Sequence, residues 1–256
     1  MPLNTSKNSE TSLSLVRQLL TKFRIYGFYW TIKLTLQFLY RKIFYEFLQK
    51  SYSQYNEDLI IKKLLNSKKI FYVDIGANHP QKFNNTYFFY LHGSQGINIE
   101  PNPQLLSLYK QKRDRDINLN IGISDSSGLL KFYQMFPDVN STFSEKQYQH
   151  NLKNNSILVS TPNIKVSSLS AVLDKHLSNS DNFDLLSIDT EGHDLTVLKS
   201  NNWNKYHPKV ICVETQSSLS LHQYLLKLGY KLVQKTPINS LYVQKNSSLL
   251  SLPTTL

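Results

Sequence analysis

From about residue 51 the chain alternates short apolar runs with stretches of helical period. Residues 51–58 carry helix-start side chains, and Leu59, Ile60, Leu64 and Leu65 then form one helical face. Residues 70–75 read as a buried strand that stops at Gly76, residues 86–92 as a helix closed by Gly93, and residues 96–100 as a second strand. A helix over 103–112, a third strand over 117–123 and a β-ribbon over 129–134 follow. Residues 136–163, rich in Asn, Ser and Gln, show no clear period and are expected to form a long loop. The order then resumes: helix 168–177, strand 183–188, helix 194–200, strand 209–213, helix 219–228 and a final strand pair at 230–234 and 240–244. Strands alternating with helices predict an α/β domain over residues 51–256, with a mostly parallel sheet covered on both faces.

Residues 1–50 follow another pattern. Ile32, Leu36, Leu39, Ile43 and Phe47 make a single helical stripe within a segment rich in Phe, Tyr and Trp. Arg24, Lys33 and Arg41 interrupt its apolar runs well short of the roughly 20 residues that a membrane span needs. The apolar part also starts too late for a signal peptide and lacks a small-residue cleavage site. Two readings remain for this helical extension: a cap on the main domain, or a peripheral helix whose residues 13–50 touch anionic membrane.

Charge and cysteine content narrow the picture. The formal net charge is +11, and residues 1–50 hold eight basic side chains against two acidic ones. The excess is thus concentrated at the front rather than along a groove for nucleic acid, which argues against a nucleic-acid partner. A single cysteine, Cys212, excludes an internal disulfide framework and a CxxC zinc site and fits a reducing compartment. The expected location is cytoplasmic, peripheral to the inner membrane face in the second reading of the extension.

The chemistry gathers at the ends of the apolar runs. Asp74, Glu100, Asp125, Asp189 and Glu214 stand at or just past five successive runs. In an open parallel sheet those ends share an edge, and ligands bind in the crevice beyond it. The first turn, Val73-Asp-Ile-Gly-Ala-Asn-His-Pro80, has one glycine where a nicotinamide fingerprint needs three, and no phosphate-binding GxxxxGK[ST] loop occurs. An acid two residues before Gly76 opposes a diphosphate and suits a ligand with positive charge or hydroxyls. Glu100 stands where acids of such folds bond ribose. An adenosyl ligand with a cationic tail fits, which points to S-adenosylmethionine.

Five segments, Asp74-Ile-Gly-Ala-Asn78, Ile97-Asn-Ile-Glu-Pro-Asn-Pro103, Asn120-Ile-Gly-Ile-Ser-Asp125, Ile188-Asp-Thr-Glu-Gly-His-Asp194 and Val210-Ile-Cys-Val-Glu214, occur in this order. With Tyr52-Ser-Gln-Tyr-Asn-Glu-Asp58 ahead of them, the set over about residues 51–235 resembles the FkbM family of S-adenosylmethionine-dependent methyltransferases. The resemblance implies a Rossmann-like class I methyltransferase: a seven-stranded sheet, helices on both faces and a reversed last strand. It also implies methyl transfer to a hydroxyl oxygen of a sugar, glycan, glycolipid or related natural product. By the same resemblance Asp74, Gly76 and Asn78 match the loop around the cofactor's methionine part, Glu100 the ribose acid, and Ser124 and Asp125 the adenine segment. Asp189 and Glu191 match the acidic motif facing the reaction centre. His79 and Pro80 depart from the general class I pattern, standing where many such enzymes place a second glycine.

A sugar hydroxyl needs help in losing its proton, so a base or a metal is expected near the reacting oxygen. Glu191 or His193 is the expected base, with Asp189 orienting, while Asp194 reads as an ordinary helix N-cap. Asp189, Glu191 and Glu214 offer hard oxygen ligands that suit magnesium, although no spacing demands a metal. Residues 136–163 are either a lid over the acceptor or a surface loop. The alternatives to the hydroxyl reading are a methyltransferase acting on nucleic acid or protein, and a catalytically inactive membrane-associated binding module.

Overall fold

The computed structural model describes residues 51–67, 69–177, 183–214 and 219–245. The amphipathic extension, and with it the proposed membrane contact, lies outside the described residues. Among the described residues twelve strands are formed: β1 (Phe71–Ile75), β2 (Gln95–Ile99), β3 (Ile117–Leu119), β4 (Gly122–Ile123), β5 (Gly128–Lys131), β6 (Gln134–Phe136), β7 (Ile157–Ser160), β8 (Asn163–Ser167), β9 (Leu185–Ile188), β10 (Val210–Glu214), β11 (Tyr230–Lys235) and β12 (Asn239–Gln244). The helices are α1 (Glu57–Leu65), α2 (Tyr87–Leu91), α3 (Pro103–Lys112), α4 (Glu145–Lys153), α5 (Leu169–His176), α6 (Asp194–Lys199) and α7 (Leu219–Lys227).

Seven strands form the main sheet in the order β11-β12-β10-β9-β1-β2-β3. Pairing is parallel from β3 through β10, and β12 runs antiparallel to both β10 and β11. The expected reversed last strand is therefore present. Alternate residues of each central strand feed two apolar layers. Val73, Leu186 and Ile211 pack under α5, α6 and α7 through Leu173, Val197 and Leu225. Tyr72, Leu185 and Cys212 pack with α1 and α2 through Ile61, Leu64 and Phe88. Runs buried on both faces are what a parallel sheet sandwiched by helices requires.

Beneath the β1–α2 turn lies a polar knot that the apolar pattern gave no sign of. Arg113, just after α3, is fully buried and pairs with Asp116 at 2.8 Å. Its guanidinium also donates to Tyr72 Oη, Thr86 Oγ1, Asn98 Oδ1, Asn84 Oδ1 and the Pro80 carbonyl. Thr86 in turn donates to Asp74 at 2.8 Å, so the knot reaches the end of β1. Tyr109 Oη donates to the Ala77 carbonyl and fixes the same turn from the α3 side.

Three sequence expectations are corrected. The single strand over 117–123 divides: β3 stays in the main sheet, while β4 joins a small sheet ordered β4-β8-β5. The side chain of Asn120 donates to the Glu100 and Pro101 carbonyls, and so occupies the acceptors that a continuing strand would face. The loop over 136–163 and the ribbon over 129–134 also reorganise. β5 pairs with β8, β6 pairs with β7, a 3₁₀ turn spans Asp138–Asn140, and α4 starts at Ser144, whose Oγ accepts from Gln147 N. The helix escaped the period search because Asn151 is its one buried residue. With no apolar face to mark it, only its cap residue was a signal.

Removing one partner of a buried, hydrogen-bonded ion pair typically costs about 3–5 kcal/mol. Arg113→Met is expected to lower the unfolding free energy by about that amount in urea titrations. Lys205→Met, which breaks an exposed pair with Asp174, should leave the midpoint nearly unchanged. Equal effects would remove the knot from its structural role.

Candidate functional site

Register decides which side chains meet. Ile99, Ile75 and Ile188 lie side by side across β2, β1 and β9, and Val213 of β10 continues the row. The next residue along each strand is therefore Glu100, Gly76, Asp189 and Glu214. Backbone bonds from Gly76 N to Ile99 O and from Asp189 N to Ile75 O carry the pairing one step past the strands. Three of these four rim positions are carboxylates. Gly76 must be glycine for two reasons: its φ is +74°, and a Cβ there would stand 1.8 Å from the Asp189 carbonyl oxygen.

One cavity opens above this row. Asp74, Gly76, Asn78, Glu100, Asp189, Glu191 and Glu214 all line it, together with Ile121, Gly122 and Ile123. The turn after β6 contributes Asp138, Asn140 and Ser141, and Phe143 follows. Six carboxyl-bearing residues line the cavity against a single ammonium, that of Lys82. Such a surface repels a pyrophosphate and attracts a cation.

Each acid is held differently. Asp74 is buried and accepts from Thr86 Oγ1; burial raises its pKa, while the Thr86 bond and the Arg113 charge act against the rise. Glu100 accepts the Asn102 amide at 2.7 Å and the Asn78 amide at 2.8 Å. It thereby ties the β1–α2 turn to the start of α3, and burial lifts its pKa to about 7 despite those two bonds. Asp189 is enclosed at the cavity floor yet open to the cavity itself. Desolvation and then the charges of Glu191, Glu214, Asp194 and Asp74 push its carboxyl well above the usual range.

Glu191 stands on strained backbone, at φ +51°, with Gly192 following at +87°. Such left-handed non-glycine residues persist where their surroundings hold them in place, and functional sites are common among those places. Here Thr142 Oγ1 donates to the Glu191 carbonyl at 2.8 Å, and Gln147 Nε2 lies 3.5 Å from Glu191 Oε2. Burial, then the Glu214 and Asp194 charges, raises the Glu191 pKa to about 8. Glu214 is raised to about 7 by burial and by Asp194. Ligand oxygens of Asp189, Glu191 and Glu214 lie within 4.8 Å of one another, so these three are the residues that could hold a divalent cation.

The remaining expected residues fall away from the cavity lining. Ser124 is buried and Asp125 exposed, both after β4 in the small sheet; the cavity wall here comes from residues 121–123 instead. Asp125 therefore does not share the rim of the main sheet. His193 packs its ring 6.0 Å from that of Phe143, centroid to centroid, and its buried Nε2 has no hydrogen-bond partner among the described residues. Burial lowers its pKa. Asp194 is not the N-cap of α6: that position is His193, and Asp194 Oδ1 instead accepts from Thr190 N and Thr190 Oγ1, closing the acidic loop. Sequence reading missed further lining residues, among them Lys82, Phe83 and Asn84 in the loop before α2 and Asn239 at the start of β12. None of them ends an apolar run, and their only signal was their nearness in sequence to recognised segments.

The FkbM methyltransferase domain matches residues 74–232, more than half of the chain. Among solved structures, the chain is similar to the Burkholderia thailandensis 1,6-didemethyltoxoflavin-N1-methyltransferase, which was crystallised with 1,6-didemethyltoxoflavin and S-adenosylhomocysteine. That similarity is 10% identity and a TM-score of 0.41, over 96% of this chain and 93% of that one. A TehB-like S-adenosylmethionine-dependent methyltransferase of Corynebacterium glutamicum is similar at 9% identity and a TM-score of 0.39, over 83% of this chain and 99% of that one. No curated protein sequence matches the chain. The domain match runs from Asp74, the first cavity-lining acid, into β11, and the chain belongs to the FkbM family of S-adenosylmethionine-dependent methyltransferases.

Proposed function

We propose that the chain methylates a hydroxyl oxygen on a sugar, glycan, glycolipid or related natural product, with Glu191 as the base. The observation that carries the reading is the pairing of an acid-lined cavity with a carboxylate whose pKa is raised to about 8. S-adenosylmethionine supplies an electrophilic methyl group on a positively charged sulfur. Asp74, Gly76 and Asn78 would hold its methionine end, Glu100 its ribose hydroxyls, and residues 121–123 its base. Gly76 lets the β1–α2 turn lie against the Asp189 backbone, where any larger residue would collide.

The protein's own work is alignment and proton removal. Correct orientation of reacting groups can supply roughly 7–11 kcal/mol of barrier lowering. Glu191 would accept the hydroxyl proton as the methyl carbon passes from sulfur to oxygen and leaves a neutral thioether behind, and a base with a pKa near the working pH is efficient at this. Asp189 would orient the acceptor, its charge favouring the cationic cofactor. The segment 138–143 lines the cavity and holds the Glu191 loop through Thr142, which supports a role in covering the acceptor. The choice of hydroxyl and of a sugar-like acceptor rests on the FkbM resemblance, and the acidic lining is compatible with it.

Two outcomes test this reading. Glu100→Gln keeps an acceptor for one backbone amide but loses the charge and sets a donor against the other amide; its affinity for S-adenosylmethionine in calorimetry is expected to fall about tenfold, with a modest drop in melting temperature from the lost amide bond. Unchanged affinity would remove ribose recognition from Glu100. For Glu191, the ionised form is the active one, so kcat/KM should rise with pH until about 8. In Glu191→Gln that limb should vanish and kcat should drop by about 10²–10⁴. A variant that keeps both limb and rate would move the base elsewhere.

A further inference from the structure

The β6–β7 ribbon presents large apolar side chains outward. Phe136 and Ile157 are directly opposite each other across the two strands, so they share one face, and Val159 follows where the β6–β7 register shifts by one residue. They are 66%, 63% and 57% exposed. Every residue of β7 is exposed, although three of its four residues are apolar. Single exposed hydrophobics are ordinary, but a cross-strand cluster is not.

Position ties this face to the cavity. The Phe136–Ile157 pair is at the end of the ribbon where the chain enters the Asp138–Asn140 turn, whose residues line the cavity. Asn140 Nδ2 donates to Ser156 Oγ, which fixes that turn beside the start of β7. Val139, within the turn, is both a lining residue and 42% exposed. Phe83 likewise lines the cavity and is 69% exposed, on backbone with φ +52°. The polar cavity is thus continuous, through Val139, with an apolar face outside it.

We infer that this face is the acceptor's second subsite: the hydroxyl-bearing head enters the cavity, and an aliphatic body attached to it lies along Phe136, Ile157 and Val159. The substrate class is then an amphipathic, hydrocarbon-bearing alcohol rather than a free sugar. The inference rests on the methyltransferase reading of the cavity. The three side chains expose on the order of 400 Å², about half of the roughly 800 Å² per partner that a standard protein–protein interface buries, so the face suits a chain-like ligand better than a second copy.

The test uses the full chain saturated with S-adenosylhomocysteine and a series of alkyl β-glucosides with methyl, hexyl, octyl and decyl tails, each below its micelle concentration. Affinity by calorimetry is expected to rise with tail length, by up to about fourfold per methylene. In Phe136→Ser/Ile157→Ser, and separately in Val159→Ser, the series should flatten while S-adenosylhomocysteine affinity stays unchanged. A flat series for the parent chain, or an undiminished slope in the variants, overturns the subsite. So does a parent dimer in light scattering that the double variant dissociates, or pelleting with phosphatidylcholine vesicles that the variants lose without any tail-length dependence. Failure to bind S-adenosylhomocysteine at all would instead refute the methyltransferase reading beneath it.

Discussion

The site depends on like charges being held together. Ile99, Ile188 and Val213 stand in register on β2, β9 and β10, and the next residue after each is a carboxylate, with Glu191 added by the loop after β9. Two full charges 4.8 Å apart repel by about 1 kcal/mol in water and about 3 kcal/mol at the effective dielectric of a protein surface. That repulsion is relieved by retaining protons or by bringing in positive charge. Burial first, and neighbouring negative charge second, raise the pKa values of Glu100, Glu191 and Glu214, which expresses the first route, and a sulfonium ligand supplies the second. Because these pKa values are raised in the folded state, their contribution to stability is complete below the ordinary glutamate range and is lost as pH rises through about 7 to 8. A cationic ligand restores it.

A strained, repulsive rim needs a stiff support, and Arg113 provides much of it. Its buried guanidinium joins α3, the Pro80 carbonyl, Asn84, Thr86 and the strands β1 and β2. From there Thr86 reaches Asp74 and Glu100 staples Asn78 to Asn102. The turn that would hold the cofactor is therefore fixed before any ligand arrives, which lowers the ordering cost of binding. The other wall is built from the segment between β6 and α4, whose Thr142 grips the Glu191 carbonyl.

Much of this was legible in the chain. Fully buried parallel strands are unbroken apolar runs, so β1, β2, β9 and β10 stood out, and the residue after each run was the functional one. Register then made Glu100, Asp189 and Glu214 neighbours. What stayed hidden had no period to show it. A buried arginine reads as a surface residue until its partners are known, so Arg113 left no trace. Residues 117–123 look like one strand, because the break depends on the side chain of Asn120 bonding across to Glu100 and Pro101. Helix α4 buries almost nothing, and β7 exposes its apolar residues, so both defeat a search for buried faces. Asp125 resembled the rim acids by sequence position alone, and the peeling away of β4 carries it out of the row.

In the proposed function these carboxylates hold protons until the cationic cofactor arrives. Calorimetry of S-adenosylmethionine binding near pH 7, repeated in buffers of different ionisation enthalpy, measures the protons released. Release is expected on binding S-adenosylmethionine and clearly less on binding uncharged-sulfur S-adenosylhomocysteine. Equal release for the two ligands, or none for either, would contradict a cation site.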